Sequence, residues 1–147
     1  MFRSQFPLQT IINPRLVSDE LNSLISMADQ SGREYYERWE FLNSYSGCML
    51  GNPALSVLAD AYMKGIRTYD AEKAYRYAVN TSRHFGNDSL GYVPEPLSIS
   101  TTLEYAYTDW CISQLAKAMG KEDEAKCFYE KGQACLLYTS PSPRDTR

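Results

Sequence analysis

The stretch ALSVLADAYMKGIRTYDAEKAYRYA, residues 54–78, decides the fold. Ala54, Leu55, Val57, Leu58, Ala59, Ala61 and Tyr62 leave almost no polar face, which predicts a helix buried in a larger body. Gly65 supplies the left-handed residue that stops such a helix. Asp70 then caps a second helix, running from Ala71 to about Arg83 with Ala74, Tyr75 and Ala78 inward. Residues 115–135, LAKAMGKEDEAKCFYEKGQAC, repeat the plan: an alanine-rich helix end, a glycine, a short turn and an acidic start to an alanine and tyrosine helix. Gly120 follows Gly65 by 55 residues. Helical hairpins at that period predict an all-α fold, an arc of an α/α toroid or of an irregular α-solenoid.

Working outward, Asn13-Pro14 opens an earlier helix, asparagine as N-cap and proline at N1, where no amide is needed. Leu16, Val17, Leu21, Leu24, Ile25 and Ala28 recur at helical spacing until Gln30-Ser31-Gly32. Residues 31–51 form a long connection whose mixture of Tyr35, Tyr36, Trp39 and charged side chains suits a ligand-facing surface. Asn52-Pro53 repeats the Asn-Pro start. Prolines 94 and 96 hold residues 91–96 extended, and Thr101-Thr102-Leu103-Glu104 reads as a capping box for the helix ending at Gly120. About five helices result, without convincing strand alternation.

The 147 residues fit one domain with a sizeable core. A net charge of -3 provides no basic stripe for phosphates, which argues against nucleic acid as partner. No apolar run is long enough to span a membrane. One histidine and cysteines at 48, 111, 127 and 135 do not have zinc spacing. The cysteines are spaced like small buried hydrophobes.

Neither end reads as ordinary. Met1-Phe2-Arg3 lacks the charged and apolar regions of a signal peptide, so no targeting signal is expected here. Eleven residues, Cys135 to Asp145 (CLLYTSPSPRD), match an in-frame translation of a transposase-type sequencing adapter. The expectation is a partial catalytic domain over residues 1–134 and a non-native tail over 135–147. The alternative is a disordered Ser/Pro-rich tail.

Four carboxylates are candidates for chemistry: Glu40, Asp60, Glu104 and Asp109. Glu104 serves either a helix cap or a pocket wall. It lies about 140° round the helix from Asp109, so the two form no tight pair. Asp60, on an apolar helix, is either functional or an anchor for the long loop. Trp39 beside Glu40 suits sugar stacking, whereas Trp110 follows the spacing of Leu103 and Tyr107 and reads as core. His84, at a helix end, suits a surface or dipole role. Asn80-Thr81-Ser82 is a glycosylation sequon that matters only in a eukaryotic secretory route. These residues alone do not establish catalysis.

Three strings together are similar to the glycoside hydrolase family 92 α-mannosidases: NSYSGCMLGNPA (43–54), SVLADAYMKGI (56–66) and TLEYAYTDWCI (102–112). The likeness covers about residues 2 to 134, and Ala116 to Lys121 is typical as well. The resemblance implies an arc of an (α/α)6 toroid, preceded in a longer parent by a β-sandwich domain. It implies a calcium-dependent, inverting, exo-acting α-mannosidase of mannose-containing glycans, commonly exported by bacteria. The family's general acid stands in a Glu-Gly-Asn motif downstream of the Thr102-Leu103-Glu104-Tyr105 segment, and its base later still. Neither motif occurs in this chain, nor does the family's upstream Trp-Asp motif. No catalytic residue is therefore expected here, and the chain alone is expected to be inactive and to hold no calcium. Trp39, Glu40, Asn52 and Glu104 are expected near the sugar pocket, because hairpin-end loops line the mouth of such a toroid. Relatives vary at position 52 among small polar residues and histidine, and a cap before Pro53 suffices to explain Asn52. The competing class is a non-catalytic, tetratricopeptide-like module that binds proteins; it calls for a period near 34 residues, which this chain lacks.

Overall fold

The computed structural model describes residues 2–38, 40–41, 44–45, 49–86, 91–94 and 98–133. Among these residues six helices run in chain order: α1 (Gln5–Ile12), α2 (Pro14–Gln30), α3 (Pro53–Met63), α4 (Ala71–Phe85), α5 (Ser98–Ala118) and α6 (Glu122–Gly132). Between α2 and α3 the strands β1 (Glu40–Phe41) and β2 (Ser44–Tyr45) pair antiparallel, with Glu40 opposite Tyr45. The all-α hairpin architecture is the one expected for an arc of a helical toroid. The two-residue ladder is a small departure, too short to show any alternation in sequence.

Start and stop signals act where the local chemistry is complete. The Asn13 side chain accepts from the Leu16 amide at 3.2 Å, and Asp70 accepts from the Lys73 amide at 3.0 Å. Gly65 takes φ +85° and Gly120 φ +77°, so each ends its helix in the left-handed region. Two boundaries depart from expectation. Helix α1 has no counterpart in the sequence reading, since Pro7 looks like a breaker and Leu8, Ile11 and Ile12 stay exposed. The expected capping box does not form either. Helix α5 begins at Ser98, which puts Glu104 inside the helix, and Thr102 Oγ1 instead accepts from the Val93 amide at 3.0 Å.

Helix α3 is the hub. It contacts α1, α2, α4 and α5, and Ala54 through Ala61 are buried except Asp60. Leu58 and Ala61 have no exposure at all. Burying a side chain such as Leu58 contributes about 1.5–3 kcal/mol. Asp60 is tied down by Lys64 at 2.8 Å, and the same ammonium donates to Thr10 Oγ1 at 2.8 Å. Asp60 therefore pins α1 to α3; among the described contacts it anchors no residue of the long loop. That loop is partly core. Tyr36, 2% exposed, donates its amide to Thr81 Oγ1 at 2.8 Å and its hydroxyl to the Ala74 carbonyl at 3.2 Å. So Tyr36 fastens the loop to α4 and does not face a ligand.

Trp110 is also corrected. It is 43% exposed and stacks on Tyr107, itself 42% exposed. Cys127 is exposed rather than buried, whereas Cys111 is buried. His84 lies in the last turn of α4, as expected, stacked on the Tyr35 ring at 4.2 Å. No helix among the described residues is long and apolar enough to cross a membrane.

Candidate functional site

The site is built where the long loop meets the N-terminus of α3 and the flank of α5. The chain reaches α3 through a tight turn: Met49 takes φ +66° and Gly51 φ +80°. Arg38 donates to the Met49 carbonyl at 3.1 Å, which ties the first half of the loop to this turn. A side chain at position 51 would stand 3.1 Å from both Cβ and Oε2 of Glu104. Glycine is needed there twice, for its backbone angle and for the space that Glu104 occupies.

Glu104 is half-buried on α5, and its Oε1 accepts from Arg3 at 2.5 Å. Asn52, directly after Gly51, is 3% exposed. Its side chain makes no cap hydrogen bond, and its Oδ1 is buried without a partner. The side-chain capping role expected of Asn52 is thus wrong, even though its backbone carbonyl accepts the Leu55 amide at 3.1 Å. A buried amide oxygen left unpaired costs about 1–3 kcal/mol, so such an atom calls for a donor.

The fold therefore brings two of the four expected site residues, Asn52 and Glu104, to one place. Glu40 opens β1, four residues before Ser44 opens β2. Trp39 lies outside the described residues. Asp109 points elsewhere, taking the Ser82 hydroxyl at 2.6 Å, as its angular separation from Glu104 required. Arg3 and Gly51 were missed by sequence reasoning. Their roles arise from contacts with Glu104, 101 and 53 positions away. Only the doubly unusual Met49-Leu50-Gly51 turn left a trace, as a glycine ahead of Asn-Pro.

Neither Cys111 nor Tyr107 is primed for covalent chemistry. Burial pushes the Cys111 thiol up to about 11 and the Tyr107 hydroxyl up to about 12, so both stay protonated at neutral pH. Among the described residues no three His, Cys, Asp or Glu side chains converge where an ion could sit. What the site presents is an array of oxygen acceptors with one guanidinium, suited to the hydroxyl donors of a polyol.

Comparison with known proteins places the chain among relatives. A family model described as the glycosyl hydrolase family 92 catalytic domain matches residues 1–135. The inverting mannosidase BT2199 of Bacteroides thetaiotaomicron is 35% identical and superposes with a TM-score of 0.81, over 88% of this chain and 19% of that one. The α-mannosidase BT3965 of the same organism, solved in complex with mannoimidazole, is 34% identical with a TM-score of 0.79, over 88% and 18%. An uncharacterized secreted glycosidase of Arthroderma benhamiae is 34% identical, over 56% of this chain and 14% of that protein. The chain spans about a fifth or less of the length of each of these relatives.

Proposed function

The chain belongs to glycosyl hydrolase family 92, and on that premise we propose that it is one arc of the (α/α)6 catalytic toroid of an inverting exo-α-mannosidase. The kinship to mannosidases supports this reading over a protein-binding helical repeat. One structural observation carries it: the partly exposed Glu104 carboxylate, seated in the Gly51 cradle where the long loop meets α3. Asn52 and Glu104 are binding groups for a terminal mannose, accepting hydrogen bonds from its hydroxyls. Trp39 and Glu40, in the same long connection, are further candidates for contact with the sugar.

Inversion needs a proton donor and a base with a water between them, on opposite faces of the sugar. Glu104 fills neither role, being ion-paired to Arg3 and built as an acceptor. Both groups lie on other arcs of the longer protein, together with calcium and a β-sandwich domain. The 147-residue chain by itself is inactive. Residues 135–147 are a non-native tail, a reading supported by the family match stopping at residue 135. The longer protein works outside the cell, in keeping with the secreted relative.

The test is release of mannose from an α-linked mannobiose by the complete enzyme and by this chain alone. The complete enzyme releases mannose, and Glu104→Gln raises its KM about tenfold, as loss of a charge-assisted hydrogen bond does. Hydrolysis by the 147-residue chain, abolished by Glu104→Gln, would overturn the assignment of roles.

A further inference from the structure

Beside Glu104 the molecule exposes a short apolar ridge. Met49 is 64% exposed and Leu50 36% exposed, and the two directly precede Gly51. Covalent geometry limits how far they can lie from the carboxylate. A Cβ at position 51 would stand 3.1 Å from Glu104 Oε2, so the Leu50 Cα is within about 8.5 Å of that oxygen and the Met49 Cα within about 12 Å. Glu104 is itself partly exposed, and its Arg3 partner is 67% exposed, so ridge and carboxylate are open to the same solvent.

The ridge is held in an unfavourable shape. Met49 takes φ +66°, in the left-handed region, where a residue with a Cβ is strained. Arg38 maintains it by donating to the Met49 carbonyl at 3.1 Å, and its guanidinium in turn lies 5.0 Å from the centre of the Phe85 ring. Glycine makes such a turn without strain, as Gly51 does two residues later. The turn by itself therefore does not call for a methionine. Strain of this kind collects at ligand clamps, where the side chain it presents has work to do. Met63 is the contrast: it is 58% exposed, but it ends α3, about 15 Å along the helix from Pro53, in ordinary helical backbone.

A pyranose ring has hydroxyl edges and apolar C–H faces. Glu104, an acceptor, suits an edge, whereas a thioether and an isobutyl chain suit a face. An exo-acting enzyme takes the terminal sugar into its site and leaves the rest of the glycan trailing outward, so the exposed groups beside the seat meet the second sugar. Resting on the mannosidase reading above, we propose that Met49 and Leu50 form the leaving-group subsite, packing against the apolar face of the sugar to which the terminal mannose is linked. Such packing removes apolar area from water on both partners and needs no aligned hydrogen bond, so it favours a sugar over a small leaving group.

The experiment gives the complete enzyme two substrates that share the terminal mannose and differ in what leaves: an α-linked mannobiose and α-mannosyl fluoride. Met49→Gly removes the side chain and relieves the backbone, so the variant folds, which thermal unfolding checks. The ratio of kcat/KM for the mannobiose to that for the fluoride falls about tenfold in Met49→Gly and about fivefold in Leu50→Ala, with the loss in the KM of the mannobiose. Met63→Ala, the same kind of side chain at the far end of α3, leaves the ratio within about twofold. A ratio unchanged in Met49→Gly overturns the proposal, whether neither substrate is affected or both lose equally, as they would if the ridge packed against another part of the longer protein. A ratio that falls as far in Met63→Ala overturns it as well. Failure of the parent enzyme to release mannose from either substrate would instead sink the mannosidase reading on which the proposal rests.

Discussion

The two hairpins, α3–α4 and α5–α6, turn in the same way and are buried very differently. At the first turn, the Ile66 amide reaches back to the Ala61 carbonyl at 3.0 Å and the Gly65 amide to Tyr62 at 3.1 Å. At the second, Lys121 reaches Ala116 at 2.9 Å and Gly120 reaches Lys117 at 3.1 Å. Both are complete Schellman motifs around a left-handed glycine. Yet α4 buries seven residues and α6 only Ala125, Phe128 and Gly132. Ile66 after the first glycine is buried, whereas Lys121 after the second stays half-buried. The turn is written in a few adjacent residues and repeats with them. Burial is set by neighbours: α3 has four helices around it, and α6 packs chiefly on α5. The exposed Tyr107 and Trp110 on α5 are the other sign of that asymmetry.

The largest effect that tests this contrast comes from the cores. Leu58→Ala on α3 lowers stability by about 2–5 kcal/mol, since transfer and cavity terms add at a site with no exposure. Tyr129→Ala on α6, half exposed, stays within about 0.5 kcal/mol. Thermal unfolding of the two variants beside the parent reads the difference. Comparable losses would mean that the hairpins are equally embedded, and the distinction between hub and edge would fall.

This asymmetry also marks what the sequence could and could not tell. Asn13-Pro14 and Asn52-Pro53 are the same dipeptide with similar backbone angles, φ -149° and -122° at the asparagines. The exposed Asn13 caps its helix, while the buried Asn52 leaves its side-chain oxygen without a partner. The dipeptide foretells a helix start, but only tertiary packing decides the rotamer, and with it the site. Trp110 makes the same point. Helical spacing reveals that a residue lies on an apolar face but not whether another helix covers that face. Glu37 looks like an ordinary i,i+4 partner of Arg33, and nothing in sequence shows that its second oxygen is buried. The hairpins, both glycine stops and the Asp70 cap were legible because each depends on residues within one or two turns.

The glycines give the intermediate effect and a sharper comparison. A methyl group at Gly65 or at Gly120 meets nothing within 4 Å, so the whole cost of alanine is backbone strain, about 1–2 kcal/mol at each. Equal losses for Gly65→Ala and Gly120→Ala, by chemical denaturation, confirm that the turns are the same object in different surroundings. Gly51→Ala adds to that strain a contact with Glu104 at 3.1 Å, so it costs more and also shifts the carboxylate. If Gly65→Ala proves far more damaging than Gly120→Ala, burial governs the turns after all.

The smallest effect concerns one of the polar contacts between the hairpins. Lys121 pairs with Glu72 at 3.0 Å and lies over the Tyr75 ring, 5.3 Å from its centre. The Glu72 side chain is 70% exposed, so water and salt screen the pair, and the contribution is at most about 1 kcal/mol. A double-mutant cycle of Glu72→Gln and Lys121→Met yields a coupling of about 0.2–1 kcal/mol that fades in molar salt. A coupling several times larger and insensitive to salt would mean that the hairpins are locked together by charge. The docking of α6 would then owe its strength to α4, and the view of it as an edge element resting on the apolar flank of α5 would have to be given up.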